Sequence, residues 1–258
     1  MKNIISKVIS DLNLDTPKEV AMIKLGMRKD LFEQKAADIS KVYSHILKPG
    51  SLVFDIGANM GHYAAAFLKL GAEVVCAEPQ AACFKILTTR YRNNSKVHLL
   101  NCAVDNEEGE KKIHISNMNT ISSMSEDWIT AVKDSKRFPD AEWTKEATVK
   151  TVTLESLIAK YGRPDFIKID VEGYELNVLK GLKSKVPLIS IEYTFEIIEN
   201  AVKCIEYLNS IGDILILPDD TSVIRDESKW MKPEIVVSIL RNLKEKDAMG
   251  DLFIKFVF

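Results

Sequence analysis

The chain of 258 residues predicts an α/β fold: a seven-stranded, mostly parallel sheet with helices on both faces, behind an N-terminal helical extension. Three observations carry this. From residue 51 onward, short apolar runs alternate with segments whose apolar residues recur every three or four positions, the pattern of a parallel sheet wrapped by helices. Gly and Pro punctuate the transitions, as at Pro49-Gly50 and Gly71. The composition, 46% hydrophobic and 28% charged, supports a sizeable core and excludes disorder or a disulfide-stapled miniprotein. At roughly 150 residues per domain, the length admits one large domain or two small ones. The seven strands follow one another without a linker or repeat, which selects one domain over residues 51–258 and a helical cap over residues 1–50.

In the cap, residues 3–14 and 31–47 have helical periodicity, the second through Leu31, Ala36, Ile39, Val42, Tyr43 and Ile46. The strands follow at residues 51–56, 73–77, 97–102, 166–170, 188–193, 214–217 and 252–258. Helices separate them at residues 61–70, 80–92, 154–161, 174–182, 196–211 and 233–244. Residues 111–116 and 148–152 add β character. The polar stretch 117–147, with Trp128 and Trp143, is too long for a plain loop: it is a lid or it contains a further element.

The charge excludes some partners. With 35 basic and 37 acidic side chains, the net charge is −2, so no global basic field grips a nucleic-acid backbone. Cys76, Cys83, Cys102 and Cys204 form no CxxC pair and read as buried thiols in a reducing compartment. The N-terminus lacks the apolar core of a signal peptide, and no apolar run reaches 18 residues. A cytoplasmic protein with no membrane or nucleic-acid partner is expected.

The strongest local motif runs Asp55-Ile56-Gly57-Ala58-Asn59-Met60-Gly61, between an apolar strand and a helix. Its first glycine permits a tight turn, its second a close backbone approach to a ligand, and the helix N-terminus offers free N–H groups. The spacing differs from the GxGxxG of a pyrophosphate site, and Asp55 would repel a pyrophosphate but suit an ammonium or sulfonium. Glu78 ends the next strand, where a carboxylate accepts hydrogen bonds from ribose hydroxyls. These two strand ends suit a positively charged nucleoside, S-adenosylmethionine. A further strand ends in Asp170, followed by Glu172-Gly173, and faces the same crevice.

With Ile167-Lys168-Ile169-Asp170-Val171-Glu172-Gly173, these motifs resemble the FkbM family of class I S-adenosylmethionine-dependent methyltransferases. The resemblance covers residues 47–193 and implies a Rossmann-like sheet, with residues 51–258 as the methyltransferase domain. By position, it implies that Gly57, Asn59 and Gly61 shape the loop around the methionine part of S-adenosyl-L-methionine. Asp55 would hold the amino end and Glu78 the ribose. Cys102 and Ala103 would border the adenine. Asp170 would sit near the sulfonium and the acceptor. The family implies O-methylation of a hydroxyl on a sugar or other natural product, so the partner is a small-molecule or glycan acceptor.

Such an acceptor needs a base to take its proton. Candidates are Asp170, Glu172, His62 and Glu192, with Asp170 and Glu172 favoured by their motif. Glu192 faces the acceptor or completes a cation site with Asp170. No further ligand is evident from spacing, so no metal is expected. Asn119 to Ser123 and the two tryptophans fall in the acceptor region as a lid. The alternatives are a nucleic-acid or protein methyltransferase, for which no Asn/Asp-Pro-Pro-Tyr/Phe motif is present, and a cofactor-binding module without catalysis.

Overall fold

The computed structural model describes residues 29–218, 221–244 and 249–257. The first helix, α1 (Lys29–Tyr43), carries Phe32, Ala36, Ile39 and Tyr43 at four- and three-residue spacing, one stripe of a helical surface. This stripe lies on α2 (His62–Lys69), with the Tyr43 ring 5.2 Å from Phe67 and 5.7 Å from Phe166 of the sheet. The helix expected over residues 3–14 lies outside the described residues.

The main sheet follows the expected plan. Its strands are β1 (Leu52–Ile56), β2 (Glu73–Ala77), β3 (Val97–Leu100), β7 (Phe166–Ile169), β8 (Ile189–Thr194), β9 (Ile214–Pro218) and β10 (Met249–Phe256), in the order β3-β2-β1-β7-β8-β10-β9. Only β10 runs antiparallel, to both β8 and β9. After β1 the chain winds outward through β2 and α3 (Ala81–Tyr91) to β3, then returns to place β7 on the other side of β1. The strand order reverses between β1 and β7, which opens a crevice beyond their carboxyl ends.

Alternation along the strands sends residues to two cores. Phe54, Ile56, Ile167, Ile169, Ile189 and Ile191 pack with α5 (Leu154–Tyr161), α6 (Glu175–Lys180), α7 (Ile198–Ile211) and α8 (Pro233–Arg241). Val53, Phe166 and Phe253 pack under α1 and α2. On that second face, at the carboxyl ends, the alternation places polar residues: Asp55 pairs beside Lys168, and Lys168 beside Ser190.

One expectation needs correction. The third strand stops at Leu100 rather than at residue 102, because its partner β2 ends opposite it at Ala77. The Asn101 amide then donates to the carbonyls of Glu78 and Pro79, which turns the chain away. Ala103–Val104 form a separate short strand, β4. It belongs to a three-stranded sheet with β5 (Gly109–Ser116) and β6 (Trp143–Val152), in the order β4-β6-β5.

The stretch 117–147 contains a 3₁₀ turn, Asn119–Ile121, and a helix, α4 (Glu126–Ser135). Ser125 caps α4 by accepting the Trp128 N–H, and Glu126 and Asp127 complement the helix dipole in the first turn. Trp128, Ile129 and Val132 form its short buried stripe.

Candidate functional site

On the β1 side of the crevice, backbone geometry dominates. Gly57 has φ +85°, and a Cβ there would lie 1.9 Å from the Asp170 carbonyl oxygen. The loops after β1 and β7 therefore touch through a glycine. Gly61, with φ +84°, is the N-cap of α2, and its absent Cβ leaves space filled by Leu87 and Tyr91 at 2.7 Å. The smallness of Gly61 also seats α2 on α3. Asn59 adopts φ +47° and points its N–H at Glu78 Oε2, 2.8 Å away. Gln80 N–H donates to Glu78 Oε1, also at 2.8 Å. Burial pushes the Glu78 carboxyl up to about 7, while the two N–H groups pull it down.

Asp55 differs from Glu78. It is fully buried, and neither carboxyl oxygen has a hydrogen-bond partner among the described residues. Burial raises its pKa to about 7; Asp170 adds to the rise, Lys168 opposes it, and the Ala64 N–H opposes it weakly from outside hydrogen-bond geometry. A buried carboxyl without a donor costs roughly 1–3 kcal/mol, which a cationic donor entering the crevice would offset. Cys102 and Ala103 are buried beside this half, where the chain passes from β3 into β4.

The residues at 119–123 meet this half too. The Asn119 carbonyl accepts from the side-chain amides of Asn59 (3.1 Å) and Gln80 (3.0 Å). Ser122 Oγ donates to Gln80 Oε1 at 2.9 Å. Ser123 Oγ reaches the other half, donating to the Glu172 carbonyl at 2.6 Å. Trp128 packs on Gly173 so closely that a Cβ there would lie 2.5 Å from it. The segment thus bridges both loops.

On the β7 side, charge dominates. Side-chain oxygens of Asp170, Glu172 and Glu192 all lie within 4.8 Å of one another. Such a group is compact enough to share a divalent cation. Burial, then the charge of Asp170, pushes both glutamates well above the usual carboxyl range. The Glu172 backbone sits in the left-handed region at φ +54°. It is held there by Ser123 and by Glu175, whose Oε1 accepts the Gly173 N–H at 3.0 Å and whose Oε2 accepts from the Asn200 amide at 2.9 Å. Lys168, 2% exposed, donates to Asp170 Oδ2 at 2.5 Å and lies 4.0 Å from the Tyr63 ring centre.

His62 does not join this group. It packs on Phe32 of α1 at 4.7 Å between ring centres. Burial, with Lys35 and Arg90 nearby, lowers its pKa to about 3. It faces the helix pair and leaves the carboxyls as candidate bases. The residues missed from sequence are Lys168 and Glu175. A lysine inside an otherwise apolar strand is the available signal for the first, and an acid two positions after Gly173 for the second.

The methyltransferase FkbM domain matches residues 55–216, which hold the crevice and every strand that lines it except β10. The chain belongs to the FkbM methyltransferase family. No curated protein matches this FkbM-family chain. Among solved structures, it is similar to a SAM-dependent methyltransferase from Aquifex aeolicus (14% identity, TM-score 0.41, 95% of this chain and 100% of that one). It is also similar to precorrin-6y C5,15-methyltransferase from Geobacter metallireducens GS-15 (10% identity, TM-score 0.43, 87% of each chain). Among the described residues of this family member, no helix is long and apolar enough to cross a membrane.

Proposed function

We propose that this methyltransferase moves a methyl group from S-adenosyl-L-methionine to a hydroxyl of a small-molecule or glycan acceptor. The observation that carries the donor assignment is Asp55, a buried carboxyl with no partner, beside the Gly57 turn. It would take the donor's ammonium end. Gly57, Asn59 and Gly61 shape that pocket, Glu78 would hold the ribose through its remaining lone pairs, and Cys102 and Ala103 would border the adenine. When bound, the donor supplies an electrophilic methyl group: the acceptor oxygen's lone pair forms the new O–C bond, the C–S pair stays on sulfur, and the acceptor's proton must be taken up by the protein.

The carboxyls of Asp170, Glu172 and Glu192 supply the place for that proton. Asp170 is the general base in this reading, with Glu172 as its partner. Such an acidic crevice repels a phosphate backbone, which supports a neutral hydroxylated acceptor over a nucleic acid. The Lys168 ammonium at the cluster supports transfer without a metal, so turnover is expected to persist in excess chelator. Residues 1–50 then serve as the cap and 51–258 as the transferase domain. Four buried free thiols support a reducing, cytoplasmic setting.

The decisive experiment has two stages. Calorimetry with S-adenosylmethionine and S-adenosylhomocysteine tests the donor site. Formation of S-adenosylhomocysteine over a panel of sugars, polyols and phenols tests the acceptor class. Donor binding without turnover on any panel member would favour a binding module, and turnover only on RNA or protein would reject the hydroxyl assignment.

A further inference from the structure

We propose that Lys168 is a positioning residue for methyl transfer: it pins one oxygen of Asp170 and leaves the other to meet the acceptor hydroxyl. The inference rests on the methyl-transfer reading above and adds a residue to it. Lys168 sits mid-sheet, between Asp55 on β1 and Ser190 on β8. A lysine is almost never fully buried unless paired. Its Nζ is 2.5 Å from Asp170 Oδ2 and lies over the Tyr63 face at 4.0 Å. That bond is monodentate. Oδ2 is held, and among the described residues no hydrogen bond reaches Oδ1.

The surroundings explain why a cation is needed there. Asp55 approaches from β1, Tyr63 from α2, Tyr43 from α1, Glu172 from the loop after β7, Glu192 from β8 and Asp251 from β10. Arg137, after α4, is the other cation near Glu172, and it is engaged by Glu196 at 3.2 Å. Burial alone pushes the Lys168 ammonium down, but Asp170, Tyr63, Asp251 and Asp55 together push it further up, so it stays charged. Asp170 in turn pushes Glu172 and Glu192 up. The three neighbouring carboxyls are therefore unequal: Lys168 bonds Asp170, and the Oδ1 that this bond leaves is the oxygen placed to take the acceptor's proton.

Two measurements test this on the full chain. The first needs neither donor nor acceptor. With ¹³C-labelled Asp carboxyls, assigned through Asp170→Asn, the Asp170 carboxyl resonance is expected to move in Lys168→Met and to return in Lys168→Arg. An Asp170 resonance that stays in place in Lys168→Met overturns the proposal. The second uses a panel acceptor at saturating donor. Lys168→Met is expected to lower kcat about 100-fold, with the acid limb of kcat moved to higher pH and acceptor KM changed by less than about threefold. Lys168→Arg is expected to recover most of kcat and to return the limb. A loss confined to thermal stability or to KM, with the limb unmoved, assigns Lys168 a structural role and overturns the proposal. If wild-type protein binds no S-adenosylhomocysteine, the donor assignment fails on its own, and the carboxyl resonance still judges the Lys168–Asp170 pair.

Discussion

The two halves of the crevice solve opposite problems. On the β1 side, Glu78 is buried, yet backbone N–H groups from Asn59 and Gln80 meet both its oxygens. On the β7 side, Asp170, Glu172 and Glu192 gather with one buried lysine against them. The first arrangement fixes shape and costs little charge. The second concentrates charge and depends on a single pairing to keep it ordered. Glycine turns dictate the first, so it tolerates side-chain change poorly in volume. The second tolerates little change in charge.

Breaking each half separates them. The largest effect on turnover is expected from Asp170→Asn, which keeps volume and removes the proposed base: kcat falls by about 10²–10⁴-fold, while S-adenosylhomocysteine binding by calorimetry stays within a few fold. Unchanged turnover would move the base to Glu172 or Glu192.

Gly57→Ala is expected to damage folding first. The positive φ costs about 1–3 kcal/mol, and a Cβ 1.9 Å from the Asp170 carbonyl adds an overlap that the backbone must relieve. A drop in Tm together with weakened donor binding, read by thermal unfolding and calorimetry, checks it.

A subtler contrast lies in pH. Asp55, Glu78 and Glu175 each have a carboxyl raised to about 7 by burial. Their unfolded values are near 4, so between about pH 4 and pH 7 the native state binds more protons than the unfolded one. Stability of the ligand-free protein is expected to fall across that window as pH rises. Asp55→Asn should flatten part of the slope, and bound donor should flatten it further by favouring ionised Asp55. A Tm that rises steadily from pH 5 to pH 7 would contradict this.

The smallest effect is expected from His62→Phe. The ring packs on Phe32 and faces away from the carboxyls, so kcat and its pH profile should match the wild type. A lost basic or acidic limb would return His62 to the list of bases.

Much of this was legible in the sequence because period and punctuation agree. The order and type of the main strands and helices follow from apolar runs, and Asp55, Glu78 and Asp170 announce themselves as acids at strand ends. What escaped depended on partners distant in the chain. The end of β3 is set by the length of β2 and by the Asn101 amide, neither of which leaves a local mark. Helix α4 shows only three buried residues, too few for a clear period. The packing of Gly61 against Tyr91 and Leu87 depends on residues far along the chain. Lys168 reads as a polar flaw in an apolar strand until Tyr63 and Asp170 are beside it.

The small sheet of β4, β6 and β5 has a consequence for how this enzyme can be altered. No strand between residues 101 and 165 pairs into the seven-stranded sheet. The chain leaves after β3, builds the covering that holds Asn119, Ser123 and Trp128, and returns through α5 to β7. A chimera can therefore exchange residues 105–152 without any frame strand seeking a new neighbour. The covering of the crevice is in this sense a graft, and the seven-stranded frame the stock.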